Sequence, residues 1–366
     1  MIKITINANY SFQRKKSFAS KIVSKDDYIP DDENNVYVNF DESNNKLFLV
    51  SKYGSIEIID DDIKFELNEV LLFYNNINQL RRFFRPSANS NAILLTEQCD
   101  QRCIMCSQPP KDKRYDDFPL FKNALKLCPN KSIITISGGE PTLFMDELLD
   151  FLIFAKKERP DITFHILSNG QHFKKEDMKN LKEVSSNVLW GIPLYSHLPN
   201  EHDDIVSKDG AYDKLFHSFS LLLEAGSRIE LRTVLMKQNI KSLLKLSDLI
   251  INKLPWIEIW AMMQLEYIGY AKMNWKKIFF DNSENFEFLE NSIIHALSNK
   301  ININLYNFPL CTVPQKFRKI ARPSISDWKK KFIKECENCE KKSVCAGFFE
   351  WHKNEIGYKN IGRKFL

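Results

Sequence analysis

Residues 93–106 read ILLTEQCDQRCIMC, a short apolar run followed by three cysteines in the spacing C-x₃-C-x₂-C. The run ILLT (93–96) has the length and composition of a buried strand. Cys99, Cys103 and Cys106 fall just past its end, where βα barrels carry their catalytic loops. A four-iron cluster takes cysteine thiolates as ligands, and three ligands leave one position open, as a working metal site requires. The rival is a zinc ion held by three cysteines and a histidine. The nearest histidine in sequence is His165, and the spacing departs from the paired C-x₂₋₄-C pattern of zinc sites.

Working outward from this strand, segments of two periods alternate. Strands are expected at 93–96, 132–137, 162–168, 187–195, 228–235 and 256–263. Amphipathic helices lie between them, at 145–159, 211–226 and 241–254 among others. This alternation predicts parallel strands joined by right-handed crossovers. Six such units fall short of the eight in a closed (β/α)₈ barrel. The fold class is therefore α/β, with a partial (β/α)₆ TIM-like barrel over 86–275. Residues 1–85 form a small N-terminal β-rich unit from the runs 36–40, 46–50 and 55–59, plus a helix over 67–84, before the linker RPSANSN (85–91). Residues 276–366 form a C-terminal Cys-rich segment. It opens with a helix at 284–298 and an extended stretch at 301–308.

The chain has 366 residues, 43% hydrophobic and 27% charged, which suits a globular protein with a sizeable core. No secretory signal and no apolar run of about 20 residues is present, so no membrane is expected and the place is cytoplasmic. From Cys311 onward, 14 Lys or Arg face 6 Asp or Glu, an excess of +8 against +5 for the whole chain. Four of the eight cysteines lie in that stretch. Positive charge there offsets gathered thiolates. No RNA-binding motif accompanies it, so nucleic acid is not expected as a partner.

The cysteine triad, followed by Ser-Gly-Gly-Glu-Pro at 137–141, resembles the radical S-adenosylmethionine (SAM) superfamily signature. The resemblance implies a [4Fe–4S] cluster whose open iron chelates SAM, and reductive cleavage to a 5′-deoxyadenosyl radical that abstracts a substrate hydrogen. It implies that Ser137, Gly138, Gly139, Glu140 and Pro141 hold the methionine amino group. Ser168 and Asn169, before Gly170, would meet the ribose, or else simply end a strand. Met105 would pack on adenine, or in the core. Arg232, a charge inside a strand, needs a partner; the cofactor carboxylate is preferred, with Glu230 as the alternative. His202 and Asp203 are candidates for a catalytic acid/base pair, or an ordinary solvated loop. Cys128 reads as a buried thiol.

Cys336, Cys339 and Cys345 form C-x₂-C-x₅-C behind Cys311. This group resembles the auxiliary-cluster segments of SPASM or twitch type. A structural Cys₄ zinc ribbon is the rival; the context favours iron–sulfur.

LLTEQCDQRCIMCSQPPK (94–111), IPLYSHL (192–198), LRTVL (231–235) and SISDWKKKF…CENCEKKSVCAGFF (324–349) are similar to the His-Xaa-Ser system radical SAM maturases. That similarity implies modification of a ribosomally made precursor peptide or protein. A reductant such as flavodoxin or ferredoxin and a partner maturase are implied with it. The competing functions are a radical SAM enzyme acting on a small molecule or RNA, and a non-catalytic Cys-rich zinc protein.

Overall fold

The computed structural model describes residues 3–11, 16–74, 77–114 and 117–361. The chain separates into two compact units. One comprises residues 1–95, 115–136 and 146–164, the other 96–114, 137–145 and 165–366.

The first unit is built on a closed barrel of β1 (Thr5–Tyr10), β2 (Phe18–Ile22), β3 (Asn35–Asp41), β4 (Lys46–Ser51), β5 (Gly54–Ile58), β6 (Val70–Phe73) and β7 (Gln79–Phe84). The order around it is β1-β5-β4-β3-β2-β6-β7, and β1 closes the ring antiparallel to β7. Neighbours are antiparallel, apart from the short parallel pairing of β2 with β3. Ile6, Ile22, Val36, Leu49, Ile56, Leu71, Phe73 and Leu80 fill the interior.

The helix expected over 67–84 is corrected here to two strands, β6 and β7. Short apolar runs fit either period, and tertiary pairing decides: β7 is the strand that closes the barrel against β1. Helix α1 (Phe118–Leu127), with Pro at its start, packs on β2 and β6. Phe83, Phe121, Phe118, Phe151 and Phe164 form a chain of ring contacts between 5.6 and 6.3 Å.

One polar element interrupts this unit. Glu69 is fully buried, and Arg82 donates to its Oε1 at 2.6 Å and to the Lys64 carbonyl at 2.8 Å. Burial pushes the Glu69 carboxyl up to about 7, although the Arg82 charge opposes the shift. Removing one partner of such a pair strands the other in a low-dielectric interior. Arg82→Leu should therefore destabilise the protein by about 3–5 kcal/mol, read as a lowered thermal midpoint. A midpoint within a degree of wild type would contradict this.

The seven-stranded sheet runs β8 (Asn91–Thr96), β9 (Ile133–Gly138), β10 (Thr163–Leu167), β11 (Val188–Pro193), β12 (Arg228–Val234), β13 (Ile259–Met263), β14 (Ile303–Tyr306), in chain order. In the second unit β11 to β14 are parallel, with Gly191 opposite Glu230, Glu230 opposite Ile259 and Met263 opposite Tyr306. The α/β expectation holds, with one extension. The stretch 301–308 is not merely extended; it pairs as a seventh strand. Helix α2 (Met145–Glu158) follows β9, and helices α3 (Met178–Val184), α4 (Pro199–Val206), α5 (Ala211–Glu224), α6 (Leu243–Lys253), α7 (Gly269–Ile278) and α8 (Glu287–Ser298) belong to the second unit. No helix among the described residues is long and apolar enough to cross a membrane.

Candidate active site

The cysteine loop has no regular secondary structure of its own, and its backbone is held from several directions. The Thr96 carbonyl accepts from Gly139 N at 2.7 Å, and the Gln98 carbonyl from Glu140 N at 2.8 Å. Arg102 N and Ile104 N donate to the Val206 and Ile205 carbonyls at the end of α4. From α7, Tyr270 N donates to the Cys106 carbonyl and Asn274 Nδ2 to the Ile104 carbonyl, both at 2.8 Å. The first of these contacts needs glycine. A Cβ on Gly139 would lie 2.0 Å from the Gln98 carbonyl oxygen.

Asp100 ties the loop down between two of the cysteines. Its Oδ1 accepts from Asn169 Nδ2 at 2.8 Å, and its Oδ2 pairs with Lys208 and lies 3.2 Å from His172 Nε2. Burial would raise this carboxyl, but His172, Lys208 and Asn169 hold it well below the usual carboxylate range. Burial raises all three cysteine thiols, Cys99 to about 12. Cys99 and Cys106 each push Cys103 further up, so the thiols share one electrostatic neighbourhood. The Tyr195 hydroxyl, just past β11, is raised first by burial and then by all three cysteines.

These thiols fit a metal cluster, which binds the deprotonated form and displaces the proton. Among the described residues no three His, Cys, Asp or Glu groups close on a single ion.

The residues expected to touch the cofactor are largely engaged with one another. Glu140 is fully buried; its Oε1 accepts from Thr142 N, Thr142 Oγ1 and Ser168 Oγ, and its Oε2 from Asn169 N. The loops after β9 and β10 are thus stapled together by one carboxylate, and Pro141 is buried beside it. Ser168 also accepts from Gly170 N at 3.0 Å. Ser137, Gly138 and Gly139 stay partly exposed. Met105 sits in an apolar cluster with Met236, Leu265 and Trp275, which is core packing. Arg232 Nη1 donates to Glu230 Oε1 at 2.5 Å, the strand-mate partner rather than an empty pocket. Tyr306 donates to Glu230 Oε2 at 2.9 Å, and His165 Nε2 lies 3.3 Å from Oε1. Burial alone would raise Glu230, yet these partners bring it to about 2.

His202 and Asp203, the acid/base candidates, are both engaged by protein groups. His202 is 1% exposed, its Nδ1 accepts from Tyr195 N at 3.3 Å, and its ring stacks on Tyr195. Asp203 accepts from Gly210 N at 2.6 Å and Tyr212 N at 2.8 Å at the start of α5. Sequence reasoning missed Asp100, Lys208, His172, Tyr195 and Asn274. Only Asp100 carried a local signal, an acidic residue inside a ligand loop.

The second cysteine group is also drawn together. Cys345 Sγ accepts from Leu310 N and Gly347 N, both at 3.3 Å, which brings it next to Cys311. Burial raises the Cys336 thiol, and Cys345 and Cys339 raise it further. Amide donors to sulfur are a recurring device for tuning iron–sulfur ligands.

Residues 93–250 match the model of the Radical SAM superfamily. The chain carries a radical SAM domain. Such a domain implies a [4Fe–4S] cluster and SAM as cofactors. Two curated relatives overlap it. Fe-coproporphyrin III synthase of Methanosarcina barkeri is 26% identical over 181 residues, 48% of this chain and 43% of that protein. The antilisterial bacteriocin subtilosin biosynthesis protein AlbA of Bacillus subtilis is 24% identical over 153 residues, 40% of this chain and 33% of that protein. The chain thus spans less than half the length of either. SuiB of Streptococcus suis, in a crystal structure with SAM, aligns over 58% of this chain and 49% of its own, at TM-score 0.48 and 20% identity.

Two outcomes follow from this radical SAM site. Gly139→Ala should separate the β9 loop from the cysteine loop and cut iron bound per chain by half or more on anaerobic reconstitution. Full iron loading would show that the close approach is dispensable. Burial lowers His202 to about 4 from its ordinary 6.5, against the pull of Asp203. The unfolded chain then binds a proton that the folded chain refuses, so stability falls as pH drops from about 6.5 to about 4. Urea midpoints should follow that fall, and His202→Gln should flatten it; an unchanged slope would remove His202 from this role.

Proposed function

We propose that this chain is a peptide-modifying radical SAM maturase, acting on a ribosomally made precursor of the His-Xaa-Ser type. The observation that carries the reading is the pairing of two gathered cysteine groups, one at the strand ends and one in the tail. The AlbA relative, a bacteriocin biosynthesis protein by name, points the same way. Cys99, Cys103 and Cys106 would hold the SAM-binding cluster; Cys311, Cys336, Cys339 and Cys345 would hold an auxiliary one. When bound, the first cluster supplies the electron that cleaves SAM and generates the radical.

The chain's own residues do the positioning. Glu140 and Asp100 fix three loops around the cysteines, and the partly exposed Ser137–Gly139 backbone offers polar groups to the methionyl end of SAM. Ser168 and Asn169 reach that end through Glu140, and Met105 backs the loop from the core. Arg232 keeps Nη1 on Glu230 while its other nitrogens remain for a carboxylate. The unit over 1–85 would receive the precursor, and the segment 276–366 would form the auxiliary site. A cytoplasmic place, with an external flavodoxin- or ferredoxin-like reductant and a partner maturase, belongs to the same proposal.

A second reading has its own support. The Methanosarcina relative is named for a tetrapyrrole product, so a small-molecule substrate is the alternative. Anaerobic incubation with reductant, SAM and the candidate precursor separates the two. 5′-Deoxyadenosine together with a changed precursor mass is expected. Cofactor cleavage stimulated by a porphyrin and not by peptide would favour the alternative. Replacing Cys99, Cys103 and Cys106 by Ala should abolish cleavage, and surviving cleavage would refute the assignment.

A further inference from the structure

Helix α7 touches both cysteine groups' surroundings, and it does so with different chemistry at each end. At its N-terminal end the contacts are polar and directed into the first ligand loop, at the Cys106 and Ile104 carbonyls. Gly269 begins the helix at φ +59°, and a Cβ there would lie 2.5 Å from the Cys106 carbonyl oxygen and 2.7 Å from that of Ser107. The approach is as close as backbone allows.

One residue after Asn274 the helix turns to the tail. Trp275, 8% exposed, donates Nε1–H to the Ile356 carbonyl at 2.8 Å. Its ring stacks on Phe279 at 4.3 Å; Phe279 meets Tyr358 at 5.6 Å, and Tyr358 meets Phe348 at 6.3 Å. Phe348 lies three residues past Cys345 and pairs with Lys331 in a two-residue ribbon. Beyond α7, Lys359 N and Asn360 N donate to Asp281 and Ser283, which fastens the same tail to the connection before α8.

A helix that merely covered core would need apolar contacts at both ends. This one places two hydrogen bonds and a closely packed glycine on the carbonyls of Ile104, Cys106 and Ser107, at the end of the ligand run. We infer that α7 is a strut through which the second cysteine segment sets the geometry of the first, with Asn274 and Trp275 as positioning residues. Met105, Phe348 and Tyr358 belong to one apolar cluster, and Cys103, Cys311 and Cys336 pack against it, so little slack separates the two ends. Disorder in the tail therefore loosens Trp275, then the α7 start, then the loop that presents the open iron position. The inference rests on both cysteine groups being cluster ligands.

The test is a double-substitution cycle on the anaerobically reconstituted full chain. It reads SAM dissociation constants and the EPR spectrum of the reduced first cluster. Trp275→Phe keeps an aromatic ring, though a smaller one, and removes the bond to Ile356. It should weaken SAM binding about fivefold, the worth of one net hydrogen bond, and alter the first-cluster spectrum. In a background where Cys336 and Cys339 are both replaced by Ala, the same substitution should do nothing further, because the tail has already let go. Equal effects in both backgrounds, or none in either, would overturn the strut. Asn274→Ala, at the loop end, should weaken binding in both backgrounds, and Asn274→Gln should restore part of the loss. If Trp275→Phe fails to accumulate, Phe279→Leu breaks the same connection one turn later. Wild-type protein lacking iron at the first loop would instead defeat the functional reading. Normal iron with an additive cycle would defeat only the strut.

Discussion

Three thiols crowded into one loop are the constraint on which the site depends. Burial opposes their ionisation, and each ionised neighbour opposes the next. Without a metal they are protonated and indifferent to one another; with one they must converge. The loop has no helix or strand to hold it at that convergence, so its shape is imposed by donors from the β9 loop, α4 and α7. Each such bond is worth about 1 kcal/mol net. Together they lower the ordering cost that metal binding would otherwise meet.

The same logic explains why residues that read as cofactor ligands turn out to hold protein. A carboxylate with four donors, as Glu140 has, is a poor remaining acceptor but a strong joint between loops. Asp100 plays the corresponding part between Cys99 and Cys103, through Lys208, His172 and Asn169. Taken alone, neither needs to touch a cofactor to matter for it: both decide where the neighbouring backbone lies.

How much could be read beforehand follows from the range of each interaction. The cysteine spacing, the strand before it and the strand–helix alternation are local patterns, and those were legible. Asp100 and Lys208 are 108 residues apart, and Asn274 is 170 residues from Ile104. Nothing in either segment announces the other. The stretch 67–84 failed for a related reason. Its apolar spacing fits a helix, but pairing of β7 with β1 across the whole unit makes it two strands. The strand at 303–306 reads from sequence only as an extended stretch, because its pairing with β13 is not written in its own residues. Arg232 was visible as a charge needing a partner, and sequence offered both answers; Glu230, two residues away on the same strand face, won by proximity.

That His202 and Asp203 are held by protein groups matters less here than it would in a hydrolase. Under the proposed function, hydrogen-atom abstraction moves a proton and an electron together, so the substrate carbon needs no base beside it at that step. What it does need is a dry and rigid approach, because a carbon radical that meets solvent or the wrong hydrogen is lost. The structure supplies elements of that kind. His202 is spent on stacking Tyr195 beside the cysteines. Glu230 neutralises Arg232 and anchors Tyr306 instead of accepting a proton from substrate. Gly191, where a Cβ would meet Leu167, His165 and Arg232 within 3.1 Å, leaves room for those side chains over the strand. Polar residues here serve placement, and the arrangement suits a reaction whose difficulty lies in control of a radical rather than in transfer of a proton.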